Sequence, residues 1–195
     1  MSSRLTACVT GSASDSTSSD RQPRTRALTM AGDQSHFTVR QAGAADVAVL
    51  ARHRATMFRD MGQLAPRQEK GLERATASYL RDALPRGEYL AWVAEPQQET
   101  SSIIGGAGVQ LRPILPRPRV GADELELGPE AIVLNVYVEP EWRRRGVGEA
   151  LMRAVLDALA ERGIHRVVLH ASMDGRGLYE RLGFVATNEM RLSVG

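Results

Sequence analysis

An internal disulfide is excluded at the outset, because the 195-residue chain holds one cysteine, Cys8, with no partner in the sequence. Cys/His spacing of the kind that holds zinc is also missing, so no metal site is expected. A reducing compartment follows, and the cytoplasm is its default. Apolar runs long enough to span a bilayer are lacking, which removes a transmembrane reading. Nor is there an excess of one charge. The formal net charge is +2 despite a pI near 9.0, too even a balance for a nucleic-acid partner. What is there is 43% apolar and 25% charged residues, the composition of a soluble enzyme with one sizeable core.

Residues 1–35 read as a disordered extension, and Met30 is an alternative start. The stretch Gly11–Asp20 is short, polar and repetitive, unable to bury enough surface to offset the entropy of ordering. It has no apolar region of the secretory-signal kind, and its serines and arginines leave only a weak transit-peptide reading. The folded domain is expected over 36–195. It opens with a strand at Phe37–Gln41, then a helix capped by Asp46 and ending near Gly62. A second helix is predicted over Lys70–Leu84. Strands at Tyr89–Ala94 and Ile103–Leu111 form a hairpin, and Gly105, Gly106 and Gly108 signal a bulge or a close backbone approach. After a long loop, Pro113–Pro129, an almost wholly apolar strand covers Ala131–Val138. A helix from Gly148 to Arg162, a strand at Arg166–Ala171, a short helix at Leu178–Leu182 and a last strand at Phe184–Ala186 complete the pattern. Strand, helix, strand at this spacing is a right-handed crossover with parallel strands.

The chemistry concentrates where the apolar strand turns into a helix, through Arg143-Arg144-Arg145-Gly146-Val147-Gly148. Two glycines let backbone N–H groups point at an anion. The first helical turn adds unpaired donors and the positive dipole end, and three arginines raise the local potential. Physically this is a pyrophosphate cradle. It is not a nucleoside-triphosphate loop, because no Lys-Ser or Lys-Thr follows Gly148. Nor is it a dinucleotide loop, because Leu151 stands where the third glycine belongs.

Arg/Gln-x-x-Gly-x-Gly/Ala after an apolar strand is the acetyl-CoA motif of the GNAT N-acetyltransferases, and the chain resembles that family over roughly 37–193. Val136 to Gly148 matches the strand and loop; Leu178-Tyr-Glu-Arg-Leu-Gly-Phe184 matches the second signature. The resemblance implies an α/β domain with a mixed, mostly antiparallel sheet flanked by helices. It implies acetyl-CoA as donor, with backbone groups of Val136, Tyr137 and Val138 on the pantetheine arm and the amides of Arg143 to Gly148 on the pyrophosphate. Ser172 stands where many members carry an asparagine on the cofactor arm. Tyr179 matches the tyrosine that protonates the departing thiolate. The strands at 131–138 and 166–171 are expected to splay so that the thioester reaches its acceptor.

Some positions depart from the family. Arg144 replaces the usual glycine, and Val167 replaces a glutamate found in several ribosomal and N-terminal protein acetyltransferases, which counts against that subgroup. The general base is open between Glu130, Glu139 and a water chain with no side chain, and Asn135 is a candidate to orient an acceptor or a water. Thr187–Met190 with Met57 and Arg59 are candidates for the acceptor pocket. His36, His53, His165 and His170 are read as structural or surface residues. The expected activity is transfer of an acetyl or similar short acyl group to a primary amine, of a small molecule more than of a protein, with a homodimer left open. The competing reading is a non-catalytic acyl-CoA-binding module.

Overall fold

The computed structural model describes residues 36–97, 102–119, 121, 123–190 and 192; the expectations for residues 1–35 lie outside these. Along the chain run β1 (Phe37–Gln41), α1 (Val47–Asp60), α2 (Glu69–Ala83), β2 (Tyr89–Pro96) and β3 (Gly105–Arg112). After them come β4 (Arg117–Pro118), β5 (Leu125–Glu126), β6 (Glu130–Val138), α3 (Val147–Glu161), β7 (Val167–Leu169) and α4 (Arg176–Arg181). The main sheet has the order β1-β2-β3-β6-β7. Its first four strands are antiparallel, and β7 joins β6 in parallel. This is the mixed, mostly antiparallel sheet that the resemblance implied.

The pleat sends alternate side chains to opposite faces, and each face has its own cluster. On one, α3 lays Val147, Leu151, Val155 and Leu159 against Trp92, Ile104, Val109 and Val133. Each such side chain contributes roughly 1.5–3 kcal/mol on full burial. On the other, Leu50 and Ala51 of α1 and Ala77 and Leu80 of α2 cover Tyr89, Ala91 and Val93. The helical stripe spacing of each segment is what makes one face of each apolar.

Four expectations needed correction. Asp46 stands at the N-cap of α1 as expected, but its side chain makes no capping hydrogen bond to that helix. Its Oδ2 accepts from Gly43 N–H at 2.8 Å, closing a short turn, and Arg40 grips the carboxylate. The long loop contains a small hairpin, Arg117 and Pro118 against Glu126 and Leu125. The strand expected at 166–171 is shorter, Val167–Leu169. Finally, Phe184–Ala186 forms no strand. A strand needs a neighbouring backbone to satisfy its polar groups, and among the described residues none pairs with β7 on its outer side.

Candidate active site

The site is assembled around the second half of β6. Its pairing with β7 covers only Ala131 to Val133, ending at Leu169. From Leu134 to Val138, no strand among the described residues pairs with that edge. On the other edge, the register with β3 shifts between Gly106 and Gly108: Gly106 faces Tyr137 and Gly108 faces Leu134. β6 therefore carries one extra residue, a bulge. It falls at Asn135, whose φ of 57° is left-handed, a conformation that costs most side chains about 1–2 kcal/mol.

The bulge is braced from three other elements. Arg54 Nη1 of α1 donates to Asn135 Oδ1. Asn135 Nδ2 donates to Tyr89 Oη of β2 at 2.7 Å. Tyr89 reaches Asn135 by crossing Gly108 of β3, where an added Cβ would lie 1.8 Å from the hydroxyl. Both ends of the Asn135 amide are thereby satisfied, and its inverted backbone is held. The close approach signalled by the glycines of β3 is this crossing. Burial pushes the Tyr89 phenol up to about 12, so it stays a neutral partner.

Beyond the bulge, backbone directions follow from the ladder. Glu139 N–H donates to Ile104 O at 2.9 Å, so Val138 O, on the far side of that trans peptide, faces away from β3 into the open edge. Tyr137 pairs with Gly106, and an added Cβ on Gly105 would lie 3.0 Å from Tyr137 O. Of the three positions named from the sequence, Val136 and Val138 present carbonyls to the open edge, while Tyr137 turns its backbone to β3. Its side chain lies against His53, with ring centroids 4.9 Å apart.

The chain then runs through a short helical turn, Pro140–Trp142, into α3. Gly146 precedes the helix at φ 82°, and Arg144 is left-handed too, at φ 61°. The usual glycine at the latter position is thus explained by backbone conformation. Ala150 N–H is the first to bond back, to Gly146 O at 3.0 Å. The amides ahead of it lack helical acceptors. Gly148 is not forced by packing: a Cβ there would make ordinary contacts with Leu178 and Val138, at 3.5 and 3.8 Å. The three arginines differ. Arg143 turns back over β6, donating to Val138 O at 3.0 Å and to Asp60 at 2.8 Å. Arg145 lies over the Trp142 ring at 5.4 Å, and Arg144 is exposed.

Tyr179 projects from α4 into the α3-side cluster, 5.9 Å from the Phe184 ring. Burial raises its pKa, so the phenol is protonated at neutral pH. Ser172 Oγ accepts from Gly175 N–H at 3.2 Å and so shapes the turn into α4. Two carboxylates were candidate bases. Glu130 is buried, and desolvation pushes its pKa up, but hydrogen bonds from Arg112 and Arg166 outweigh this and hold it low. It also lies eight residues from Val138, about 26 Å along the strand. Glu139 sits at the open end among Tyr137 Oη at 3.2 Å, Arg52 at 3.4 Å and His53 Nε2 at 3.3 Å. His53 is 1% exposed, and neither ring nitrogen has a hydrogen-bond partner among the described residues. Desolvation takes its pKa down to about 4. His165 and His170 are exposed, with His170 beyond the end of β7 and 3.5 Å from Glu189. Among the described residues no His/Cys/Asp/Glu cluster could hold a metal, and no helix is long and apolar enough to cross a membrane.

This geometry coincides with a family pattern. The model of the acetyltransferase (GNAT) family matches residues 46–184. The chain belongs to the GNAT acetyltransferase family. Among solved structures, a GCN5-related N-acetyltransferase from Ralstonia eutropha JMP134 is similar to this GNAT chain. Its identity is 32% and its TM-score 0.70, over 81% of this chain and 98% of that one. A predicted acetyltransferase with acetyl-CoA from Clostridium acetobutylicum is 27% identical, TM-score 0.66, over 82% of this chain and 96% of that one. The glucosamine 6-phosphate N-acetyltransferase of Trypanosoma brucei brucei is 30% identical over 98 residues, half of this chain. The match spans 61% of that relative, less than two thirds of its length.

Sequence reasoning missed the brace. Its traces were there: an asparagine inside an apolar strand, and a glycine, Gly108, inside another.

Proposed function

We propose that the chain transfers an acetyl or similar short acyl group from acetyl-CoA to a primary amine, on a small molecule rather than a protein. The observation that carries this reading is the open edge of β6 leading straight into a turn of unpaired amides at the start of α3. The donor's pantetheine arm lies as an added strand along Val136 to Val138, and its pyrophosphate on the amides from Arg144 to Gly148, since the Arg143 N–H is spent on Pro140 O. Glycine at 148 leaves room for that approach, which packing within the chain does not require. Arg144 and Arg145 raise the potential around the phosphates, and Ser172 lies beside the arm.

No covalent enzyme intermediate is needed, because a thioester is already activated. The neutral amine attacks the thioester carbonyl, and a β6 backbone N–H beyond the bulge stabilises the developing oxyanion. The tetrahedral intermediate expels the thiolate, which takes its proton from the Tyr179 hydroxyl. Glu139, at the open end of β6, accepts the amine proton through water. An amine related to an amino sugar phosphate fits the likeness to the glucosamine 6-phosphate enzyme.

The test is release of CoA thiol from acetyl-CoA across a panel of amines, beside the melting shift with millimolar acetyl-CoA. Tyr179→Phe should lower kcat on the order of 100-fold while the melting shift is kept. A shift without thiol release from any amine supports the acyl-CoA-binding module instead, and no shift at all removes the donor assignment.

A further inference from the structure

Arg54 stands apart from the other arginines. Among the described residues, each other half-buried arginine has a carboxylate within 3.7 Å: Arg40, Arg117, Arg119 and Arg166. Arg54 is half-buried, and none of the ion pairs among these residues includes it. Its hydrogen-bond partner is the neutral Oδ1 of Asn135, and its guanidinium lies over the Phe58 ring at 4.9 Å. One donor is spent on a fixed, satisfied amide and the plane is set by an aromatic face. The side chain is thus already ordered, with its remaining donors uncommitted. A guanidinium in that state matches the fork of a carboxylate or phosphate, and the entropy of fixing it has already been met within the fold.

Its place gives the feature meaning. Arg54 rises from α1 onto the face of the bulge opposite α3, beside the point where β6 opens. The proposed donor enters from the α3 side, so Arg54 lies on the side left to the acceptor. We infer that Arg54 receives an anionic group carried by the acceptor, making the substrate class amines that bear a nearby carboxylate or phosphate. This deepens the proposed function and rests on it. The acceptor anion completes a cation that the described residues leave without a counter-charge, and it turns the amine toward the thioester in the gap.

The experiment compares two matched pairs of acceptors: an amino sugar 6-phosphate against the parent amino sugar, and an amino acid against its amide. Thiol release gives kcat/KM for each. The melting shift of CoA-saturated protein with each compound gives binding without chemistry. The wild type should favour the anionic member of at least one pair by 10-fold or more, and which pair tells phosphate from carboxylate. Arg54→Gln removes the charge but keeps an amide that can donate to Asn135, and should cut that preference at least 10-fold, chiefly through KM. Equal use of both members in the wild type overturns the inference. So does a loss in Arg54→Gln that falls alike on charged and uncharged acceptors through kcat, which would leave Arg54 as a brace for Asn135 alone. Absence of turnover and binding for both anionic compounds at 10 mM also overturns it, provided the acetyl-CoA shift is intact. A missing acetyl-CoA shift marks instead the failure of the donor assignment.

Discussion

The two halves of β6 are built on opposite plans. From Ala131 to Val133, just after Glu130, the strand is paired on both edges, to β3 and to β7. Its one buried charge there, Glu130, is clamped by Arg112 and Arg166. From Leu134 to Val138 only the β3 edge is paired, the backbone inverts at Asn135, and carbonyls are left facing an open edge. A regular ladder holds the first half in place. In the second half side chains from α1 and β2 hold the strand where a second ladder is missing among the described residues.

Glu130→Ala should produce the largest effect on stability, about 3 kcal/mol in urea denaturation, with the acetyl-CoA melting shift retained. A loss of that shift would show that the closed half is not independent of the open one. His53 gives the next effect. Its pKa of about 4 in the fold lies below the ordinary 6.5, so the unfolded chain binds the proton first as pH falls. The stability it provides is complete above pH 6.5 and drains toward pH 4, by roughly 2 kcal/mol between pH 7 and 5. Glu139 works against this and Arg52 with it. His53→Leu should flatten the denaturation midpoint over that range, and an unchanged slope would assign the acid sensitivity elsewhere.

Tyr89→Phe removes the acceptor for Asn135 Nδ2 and should cost about 1–2 kcal/mol. Its sharper readout is turnover, which should fall while acetyl-CoA still binds; wild-type kinetics would show that the bulge holds without its brace. The smallest effect belongs to Arg144→Gly, which should raise stability by about 1 kcal/mol by relieving a left-handed backbone. Destabilisation would mean that the Arg144 side chain makes contacts worth more than that strain.

What could be read from the sequence was mostly local. The glycines at 146 and 148 announce the turn because their function depends on neighbours a few residues away, and the stripe from Val147 to Leu159 carries its own period. The inverted backbone at Asn135 depends on the register between two distant strands, which periodicity does not encode. His53 falls three residues after Leu50, on the apolar stripe of α1, so helical spacing alone places it inward. The strand expected at Phe184–Ala186 failed for the reverse reason. Its residues suit a strand, but pairing is a property of two segments, and the described residues offer no second one; Val185 is 82% exposed.

Arg143 ties two distant parts of the molecule with a single side chain. Its Nε holds Val138 O, and its Nη2 holds Asp60 at the last turn of α1. A ligand that reaches this carbonyl therefore arrives beside a positive charge whose position is set by α1, a helix on the other side of the sheet.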